Sequence, residues 1–432
     1  MVSLNLLAVG KEIIELMREL YPICRSITGN GYRETMQIMK KHIPLEIREI
    51  PSGTRVFDWI VPKEWNIRDA YIKNMNGDKI VDFQKSNLHV LNYSIPINTR
   101  ITFAELKEHL HTLPENKNWI PYRTSYYKEN WGFCITHRQL ESMEDIEYEV
   151  SIDSSLEDGH LTYGEFFIKG ELEDEFLISC HCCHPSLCND NLSGMALASE
   201  LAKHLYNQRK LRYSYRFLFI PGTIGSIVWL SLNERTVHKI KHGLVIACVG
   251  DPGIMHYKKT RRGDAEIDKV VVHMLSHSGQ NYKILEFSPY GYDERQYSSP
   301  GFDLPVGSLT RSPHGSFPEY HTSADNLDFI KEESLGDSFL KYIEVIQIIE
   351  NNRKYINTNP KGEPQLGKRG LYDAFGGRKD SGTYELSLLW VLNFSDGKNS
   401  LLDIAERSGI NFKIINEAAN ALFDCGLLVA SE

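Results

Sequence analysis

Residues 178–194, ISCHCCHPSLCNDNLSG, hold a dense group of side chains that can bind a metal ion. An apolar run leads into His181 and His184, and Asp190 follows just ahead of a helix-like segment. Neutral imidazole and carboxylate groups suit zinc at neutral pH. Asp190, at a turn from a strand to a helix, can bridge two cations. This pattern predicts a catalytic type of metal site that holds one or two Zn²⁺ ions.

Two other interpretations of the same segment are open. In the first, the histidines are incidental, and Asn191 and Ser193 only cap the following helix. In the second, the two histidines join Cys182 and Cys183 around a structural zinc ion. Adjacent cysteines are poorly spaced for one tetrahedral ion, for which gaps of about two to four residues are usual. The catalytic type of site is therefore the preferred interpretation.

Two segments further along the chain also carry side chains of the ligand type. Asp251 ends the apolar run GLVIACVGD, which is typical of a buried strand. His321 lies in the polar loop PEYHTSADN, with Glu319 two residues before it and Asp325 four residues after it. Taken alone, Asp251 is an ordinary turn residue and His321 an ordinary loop residue. Their order after Asp190 predicts that the three side chains converge on one metal site.

The elements that position these side chains begin at about residue 149. Strand-like runs EFLISC, SYRFLFIPG and HGLVIACVGD alternate with helix-like segments such as SGMALASELAKHLYNQ. This alternation predicts an α/β fold, with a mainly parallel sheet and helices on both of its faces. Ligands of such sheets bind beyond the carboxyl ends of the strands, and the candidate metal ligands follow those ends.

The remaining segments predict two further domains. Residues 51–148 contain short β-like runs between Asn, Gly, Asp and Pro residues, and one predicted helix, FAELKEHLHTL, interrupts them. We interpret them as an inserted β-rich domain, which divides the catalytic domain into residues 1–50 and 149–355. After a polar linker, residues 365–432 predict a winged helix-turn-helix domain.

The order of these motifs resembles that of a known group of enzymes. A strand-end His, the run Asp-Asn-x-Ser-Gly, a strand-end Asp and a late His are similar to the zinc aminopeptidase superfamily. More closely, the whole chain resembles the aminopeptidase-like proteins of bacterial polysaccharide biosynthesis clusters, which carry the same inserted domain (SGTRVFDW, WGFC) and a winged-helix tail. The specific motifs are CHPSLCNDNLSG, SSPGFDLP and PEYHTSADN. The resemblance implies the phosphorylase/hydrolase-like fold of the zinc aminopeptidases.

The resemblance also implies a set of metal ligands. A first metal would be held by the strand-end histidine, Asp190 and Asp251, and a second by Asp190, His321 and a glutamate. The alignment of the strand favours His181 as the first ligand, whereas the CHPS signature of the closer family favours His184. Both His181 and His184 therefore remain candidates for the first ligand.

One departure from the family concerns residues 221–226, PGTIGS, where the closer family reads PETIGS. Gly222 stands where the family has a carboxylate, and glycine cannot abstract a proton from water at a metal site. Three explanations are open. Glu319 or Glu294 reaches into the site, the enzyme is weak or inactive, or the position was changed by mutation.

Other residues can orient a substrate. Arg295 and Asp293 in GYDERQY, and Tyr320, are candidates for contacts with the substrate or with a tetrahedral intermediate. The alternative for Arg295 and Asp293 is an ion pair at the surface. Together with Glu319 and Glu294, Tyr320 and Arg295 complete the predicted catalytic residues.

Charge and hydropathy exclude several kinds of partner. The net charge of −9 argues against a general nucleic-acid or anionic-membrane surface. No run of 18 or more apolar residues is present, so no membrane span is expected. The predicted recognition helix FKIINEAANALFDCG has one lysine and two acids, which is not typical of a helix that reads DNA. We expect the winged helix to pack on the hydrolase or on another subunit of a homo-oligomer.

These observations predict a zinc-dependent, aminopeptidase-like amide hydrolase in the cytoplasm. The amphipathic pattern of residues 1–20 is not that of a secretory signal. The substrate would be a small molecule or a short peptide, and the family context suggests an N-acylated sugar intermediate. Two alternatives remain: a catalytically impaired metal-binding or scaffold protein of the same fold, and a DNA-binding regulator that uses the winged helix.

Overall fold

A computed structural model describes residues 5–371 and 381–431 of the chain. Residues 372–380 of the predicted winged-helix range lie outside the described residues, as do residues 1–4 and 432. The strands are, in chain order, β1 (Glu46–Pro51), β2 (Arg55–Val56), β3 (Trp59–Ile60), β4 (Glu64–Lys73), β5 (Lys79–Asp82), β6 (Ile97–Thr102), β7 (Leu110–His111), β8 (Phe133–Cys134), β9 (Glu147–Glu157), β10 (His160–Ile168), β11 (Glu175–His181), β12 (Ser214–Ile220), β13 (Ile240–Ile246), β14 (Met255–Lys258), β15 (Tyr282–Leu285), β16 (Val306–Thr310), β17 (Lys354–Asn357), β18 (Asp396–Ser400) and β19 (Leu428–Ala430). The α-helices are α1 (Leu6–Leu20), α2 (Asn30–Met39), α3 (Phe103–Lys107), α4 (His137–Glu141), α5 (Gly194–Tyr206), α6 (Ile224–Asn233), α7 (Glu266–Ser276), α8 (Glu294–Tyr297), α9 (Glu332–Asn351), α10 (Ser381–Phe394), α11 (Leu401–Ser408) and α12 (Phe412–Asp424).

The chain divides into two compact units. The first comprises residues 1–265 and 283–340, and the second comprises residues 266–282 and 341–432. All the candidate site residues belong to the first unit, and the winged helix belongs to the second. Within the described ranges, no helix combines the length and the apolar character that crossing a bilayer requires.

The largest sheet has eight strands in the order β1-β10-β12-β11-β13-β16-β14-β15. Its centre is parallel: β12, β11, β13 and β16 run in the same direction. Every residue of β11 is buried, as expected for a parallel strand that is covered on both faces. The predicted α/β fold with a mainly parallel sheet is therefore confirmed. Antiparallel strands extend the sheet beyond this centre.

The predicted inserted segment is rich in short strands. Strands β5, β4, β9 and β6 form a four-stranded sheet, in which β4 and β9 pair antiparallel along their length. Strand β9 begins before residue 148 and continues to Glu157, so it crosses the predicted end of the insertion. The domain boundaries at residues 51 and 148 stay predictions.

One predicted helix, FAELKEHLHTL, is wrong in its second half. Helix α3 starts as expected, because Thr102 and Glu105 form a capping box, but it ends at Lys107. The backbone N–H of Phe133 donates to the carbonyl of His109 (2.9 Å), and the His109 ring stacks on Trp131. These tertiary contacts turn the chain into strand β7, which pairs with β8.

The second unit contains the three helices and the short strands of a winged helix. Strands β18, β17 and β19 form an antiparallel sheet. Ser400 caps α11 through a capping box with Asp403, and Gly409 ends the helix with φ of 68°. Glycine adopts this left-handed conformation without the steric cost that a Cβ imposes, which is why the helix stops there.

Candidate metal centre

The three candidate histidines surround the carboxylate of Asp190, which is fully buried. His181 Nε2 lies 2.7 Å from Asp190 Oδ1. On the other side, His321 Nε2 lies 3.0 Å and His184 Nδ1 lies 3.2 Å from Asp190 Oδ2. Potential ligand atoms of His181, His184 and Asp190 all lie within 4.8 Å of one another. The structure therefore brings four of the predicted metal ligands together.

The turn between β11 and α5 positions most of this cluster. His181 is the last residue of β11, and Asp190 lies in the turn ahead of α5. The carboxylate of Asp325 accepts the backbone N–H groups of Asn189 (2.5 Å) and Asp190 (2.9 Å). Because Asp325 belongs to the same loop as His321, these bonds tie the two segments of the site to each other.

A segment of the predicted insertion forms one wall of the site. The backbone N–H of Tyr122 donates to the carbonyl of His321 (2.8 Å), and that of Ser323 donates to the carbonyl of Ile120 (2.8 Å). The Tyr122 ring meets His184 at 5.1 Å and His321 at 5.2 Å, measured between ring centroids. His321 itself has φ of 56°, a conformation that costs free energy and that packing of this kind has to hold in place.

Aromatic rings cover the other two sides of the cluster. Tyr292 stacks on His181 with ring centroids 5.5 Å apart, and Tyr320 stacks on His321 at 4.0 Å. These rings cover part of the His181 and His321 imidazoles, and the reduced contact with solvent strengthens the electrostatic interactions there. Sequence analysis identified Tyr320 but missed Tyr122 and Tyr292, because tyrosine carries no ligand signal and only the fold brings the rings to the histidines.

Charge inside the cluster is set by the pairing of Asp190 with imidazoles. Burial alone would raise the pKa of Asp190, but the charges and hydrogen bonds of His184 and His181 hold it well below its usual range. Burial would lower the pKa of His184, and the charge of Asp190 outweighs this and raises it well above 6.5. Burial lowers the pKa of His321, despite its hydrogen bond to Asp190. The site therefore combines a buried carboxylate anion with imidazoles of different basicity.

Asp251 lies beside this cluster and not in it. Its carboxylate accepts hydrogen bonds from the side chain of Asn189 (3.0 Å), the backbone of Gly253 (2.7 Å), and both the hydroxyl (2.6 Å) and the backbone (3.2 Å) of Ser312. These four donors occupy its oxygens, and Asn189 connects it to the neighbouring Asp190. The role of Asp251 as a metal ligand stays a prediction.

The predicted catalytic acids have different surroundings. Glu294 is fully buried, and its Oε1 lies 2.7 Å from Lys258 Nζ, while its Oε2 has no hydrogen-bond partner. The guanidinium of Arg295 reaches Thr223 Oγ1 at 3.5 Å. Glu319 is half-buried, and its backbone carbonyl accepts the hydroxyl of Thr322 (2.7 Å). The catalytic roles of Glu294, Arg295 and Glu319 stay predictions.

Gly222 faces His181 and Asp293. A Cβ atom at position 222 would lie 3.0 Å from His181 Cβ and 3.8 Å from Asp293 Oδ2. Asp293 is buried, and its Oδ1 accepts the hydroxyl of Ser226 (2.8 Å). Its Oδ2 has no hydrogen-bond partner. Burial raises the pKa of Asp293 to about 6, although His181 and Ser226 act in the opposite direction.

The donor atoms of the cluster fit zinc. Imidazole nitrogens and a carboxylate are the ligands of catalytic zinc sites, and the described residues that could hold an ion together form a group without cysteine. All eight cysteines of the chain are free thiols. Cys182 Sγ lies 3.9 Å from Cys180 Sγ and donates to the carbonyl of Cys180, so it is directed into the core beside the strand.

Comparisons with known proteins identify the family of the chain. Residues 14–352 match a family model described as "Domain of unknown function (DUF4910)", and residues 353–430 match one described as "winged helix-turn-helix". A Clostridium acetobutylicum protein is 60% identical over 97% of this chain and 96% of its own length. It is provisionally named a polysaccharide biosynthesis protein with an aminopeptidase-like domain.

Solved structures with a similar fold include one of high sequence identity and one of low sequence identity. A crystal structure from Clostridium acetobutylicum, provisionally described as a peptidase, is 58% identical and covers 99% of this chain and 97% of its own, with a TM-score of 0.94. A zinc aminopeptidase from Bacillus subtilis is 11% identical, covers 79% of this chain and 94% of its own, and has a TM-score of 0.57. The second likeness shows the aminopeptidase fold alone. The chain therefore belongs to the family of aminopeptidase-like proteins that the domain of unknown function DUF4910 defines, and it carries a winged helix-turn-helix at its carboxyl end.

Proposed function

We propose that this protein is a zinc-dependent, aminopeptidase-like amide hydrolase. The observation that carries the proposal is the convergence of His181, His184 and His321 on the buried carboxylate of Asp190. This convergence lies beyond the carboxyl end of β11, at the edge where α/β sheets bind their ligands. These four side chains would hold the metal.

A bound zinc ion would polarise the carbonyl oxygen of the scissile amide and lower the pKa of water at the site to about 7. The protein's own residues orient the substrate and exclude bulk water. Burial and the charge of Asp190 raise the pKa of Tyr320, so its phenol stays protonated and can donate a hydrogen bond to the substrate. Tyr122 and Tyr292 close the sides of the site.

The name of one relative supports the proposed substrate class. An amide of a small molecule or of a short peptide fits a site that is enclosed by aromatic rings. The Clostridium acetobutylicum relative is named for polysaccharide biosynthesis, which supports an N-acylated sugar as the amide. We further propose that the protein acts in the cytoplasm, without a nucleic-acid partner.

Metal analysis with a panel of substrates tests this function. Purified protein is assayed for bound zinc and for hydrolysis of aminoacyl p-nitroanilides and N-acetylated amino sugars. We expect hydrolysis that chelation removes, that zinc restores and that Asp190→Asn abolishes. A protein that retains no divalent metal, or whose hydrolysis is the same in Asp190→Asn, would contradict the proposal.

A second candidate, a metal-binding protein without turnover, is favoured by one observation. Position 222 has no side chain beside His181, whereas the related proteins are expected to have a carboxylate there. In that case the parent binds zinc without hydrolysing any probe, and Gly222→Glu gains hydrolysis that the parent lacks.

A further inference from the structure

The space beside His181 contains the carboxylate of Asp293, for which the sequence predicted only a contact with the substrate or with a tetrahedral intermediate. Asp293 precedes helix α8, and only 2% of it is exposed. Its Oδ1 is fixed by the hydroxyl of Ser226 at 2.8 Å. Its Oδ2 has no hydrogen-bond partner. A buried polar atom without a partner costs free energy, and such atoms in folded proteins call for an explanation, such as a catalytic role.

The location of Oδ2 supplies that explanation. It lies 3.8 Å from the point that a Cβ of residue 222 would occupy, and this point is itself 3.0 Å from His181 Cβ. A side chain at position 222 and the side chain of Asp293 would therefore enter the same space. Because residue 222 is glycine, the space is open to Asp293.

Three other acids near the site have at least one carboxylate oxygen engaged by a donor. Asp325 accepts two backbone N–H groups, and Asp251 accepts four hydrogen bonds. Glu294 shares its buried environment with the Lys258 ammonium, 2.7 Å from its Oε1. Asp293 is the acid whose unpartnered oxygen lies in the space beside His181 that residue 222 leaves open.

We propose that Asp293 supplies the carboxylate that position 222 lacks, and that it is the proton acceptor of the hydrolysis. This inference rests on the proposed function. A water oxygen forms a bond with the amide carbonyl carbon, and one water proton moves to Asp293 Oδ2. The carbon–nitrogen bond then breaks, and Asp293 returns the proton to the leaving nitrogen. The products are a carboxylic acid and an amine.

Hydrogen bonds around helix α8 orient Asp293 for the role of proton acceptor. The hydroxyl of Ser226, from α6, holds one oxygen of Asp293 and leaves the other directed to the space beside His181. The guanidinium of Arg295 contacts Thr223 Oγ1 at 3.5 Å, next to position 222. Residues 223 and 226 are thus hydrogen-bonded to Arg295 and to Asp293, respectively.

The test compares Asp293→Asn, Gly222→Glu and the double variant with the parent. Asparagine keeps the shape of the side chain and can accept the Ser226 hydroxyl. For Asp293→Asn we expect hydrolysis to fall by about 10² to 10⁴-fold in kcat with little change in KM. We also expect zinc affinity, measured by competition with a chromophoric chelator, to fall by about 10- to 100-fold, as when carboxylates around a metal site are removed.

The double variant and a control make the test specific. Gly222→Glu in the Asp293→Asn background should restore most of both losses, because it returns a carboxylate to the same space. Gly222→Glu alone should change kcat by less than about threefold if Asp293 already supplies the proton acceptor. Glu175→Gln, a buried acid at the opposite end of β11 that pairs with Arg216, should leave both measurements unchanged.

The results that would contradict the proposal distinguish a failure of the role of Asp293 from a failure of the proposed function. If Asp293→Asn behaves like Glu175→Gln, or if Glu294→Gln or Glu319→Gln shows the larger loss, the role of Asp293 is overturned while the metal site stands. A large gain from Gly222→Glu alone also overturns it, and this result does not depend on the stability of Asp293→Asn. If the parent binds zinc without turnover, the proposed hydrolysis fails, and the role of Asp293 as its proton acceptor fails with it while the metal site stands. If the parent binds no zinc, the proposed function fails and this inference fails with it.

Discussion

Two groups of histidines in this chain lie in different surroundings. In the first unit, His181, His184 and His321 meet around the carboxylate of Asp190. In the second unit, His273 lies against His277, with ring centroids 4.2 Å apart. His273 Nε2 accepts the backbone N–H of Phe412 (3.0 Å), and His277 Nδ1 lies 3.0 Å from the carbonyl of His273.

The difference shows that the partners of an imidazole decide its function. A buried carboxylate with three imidazoles forms a negative, multidentate site for a cation. Two imidazoles that bond to the backbone form a structural contact, which caps the start of α12. The second group has one histidine fewer, and His277 is exposed, but the difference that matters for a cation is the acid at the centre of the first group. The following predictions test this contrast.

Replacing the acid should have the largest effect. Asp190→Asn keeps the shape of the side chain but removes the negative charge on which three imidazoles converge. We expect zinc affinity to fall by more than about 1000-fold, well beyond the 10- to 100-fold that residues around the ligands contribute. Zinc content after dialysis against a weak chelator measures this. A variant that retains stoichiometric zinc would contradict the account.

Replacing single histidines should separate the two groups. His181→Asn and His184→Asn should each lower zinc affinity by about 100-fold, since both rings lie within reach of Asp190 and each loss exceeds that of an outer residue. His277→Asn should leave zinc affinity unchanged. Isothermal titration with zinc is the measurement, and an effect of His277→Asn equal to that of His184→Asn would remove the contrast. If only one of His181→Asn and His184→Asn lowers zinc affinity, the histidine replaced in that variant is the first ligand, which the sequence alone did not decide.

Zinc should stabilise the segments that carry the metal ligands and should leave the helices of the winged helix unchanged. At a zinc concentration ten times the Kd, binding stabilises the folded site by about 1.4 kcal/mol. Hydrogen exchange should therefore slow in residues 178–194 and 318–326. Amides of α11 and α12 should exchange at the same rate with zinc and with chelator. Equal protection of both regions would indicate that zinc acts elsewhere.

The histidine pair of the second unit should produce a small pH effect on stability. Burial and the nearby charge of His277 lower the pKa of His273 to about 4, below the value of about 6.5 for an unfolded histidine. The unfolded chain therefore binds the proton more readily, and this contribution is complete above pH 6.5 and is lost as the pH falls toward 4. We expect a loss of about 1 to 3 kcal/mol, with the upper value set by the difference between these two pKa values.

Chemical denaturation of the parent and of His273→Gln across this range measures the effect. Glutamine can accept the Phe412 N–H through its amide oxygen and does not titrate. The variant should therefore lack the component of the pH dependence that lies between pH 6.5 and 4. A parent and a variant with the same pH profile would show that His273 does not titrate on unfolding.

Local patterns made part of the site predictable. The apolar run of β11 and the helix-forming run of α5 placed His181 and Asp190 at a strand-to-helix turn, and the structure has that turn. The capping residues Ser400 and Gly409 bound α11 in the same way. These features depend on neighbours in the sequence, which a single sequence contains.

Other features depend on contacts between distant residues. The ring of Tyr122 reaches His184 and His321 through backbone bonds that join the insertion to a loop about 200 residues later, and the local sequence does not encode this contact. The same is true of Asp293, whose relation to Gly222 depends on the packing of α8 against α6. Asp251 follows its strand as predicted, but the hydroxyl and the backbone of Ser312 engage its oxygens.

The central claim is that Asp190 and the surrounding histidines bind a divalent metal. Crystals grown with zinc and measured on both sides of the zinc absorption edge test it most directly. The account predicts an anomalous peak about 2.0 to 2.2 Å from a carboxylate oxygen of Asp190 and from imidazole nitrogens of His181 or His184. A crystal with no peak at this cluster, or with its zinc bound by cysteine thiolates instead, would contradict it.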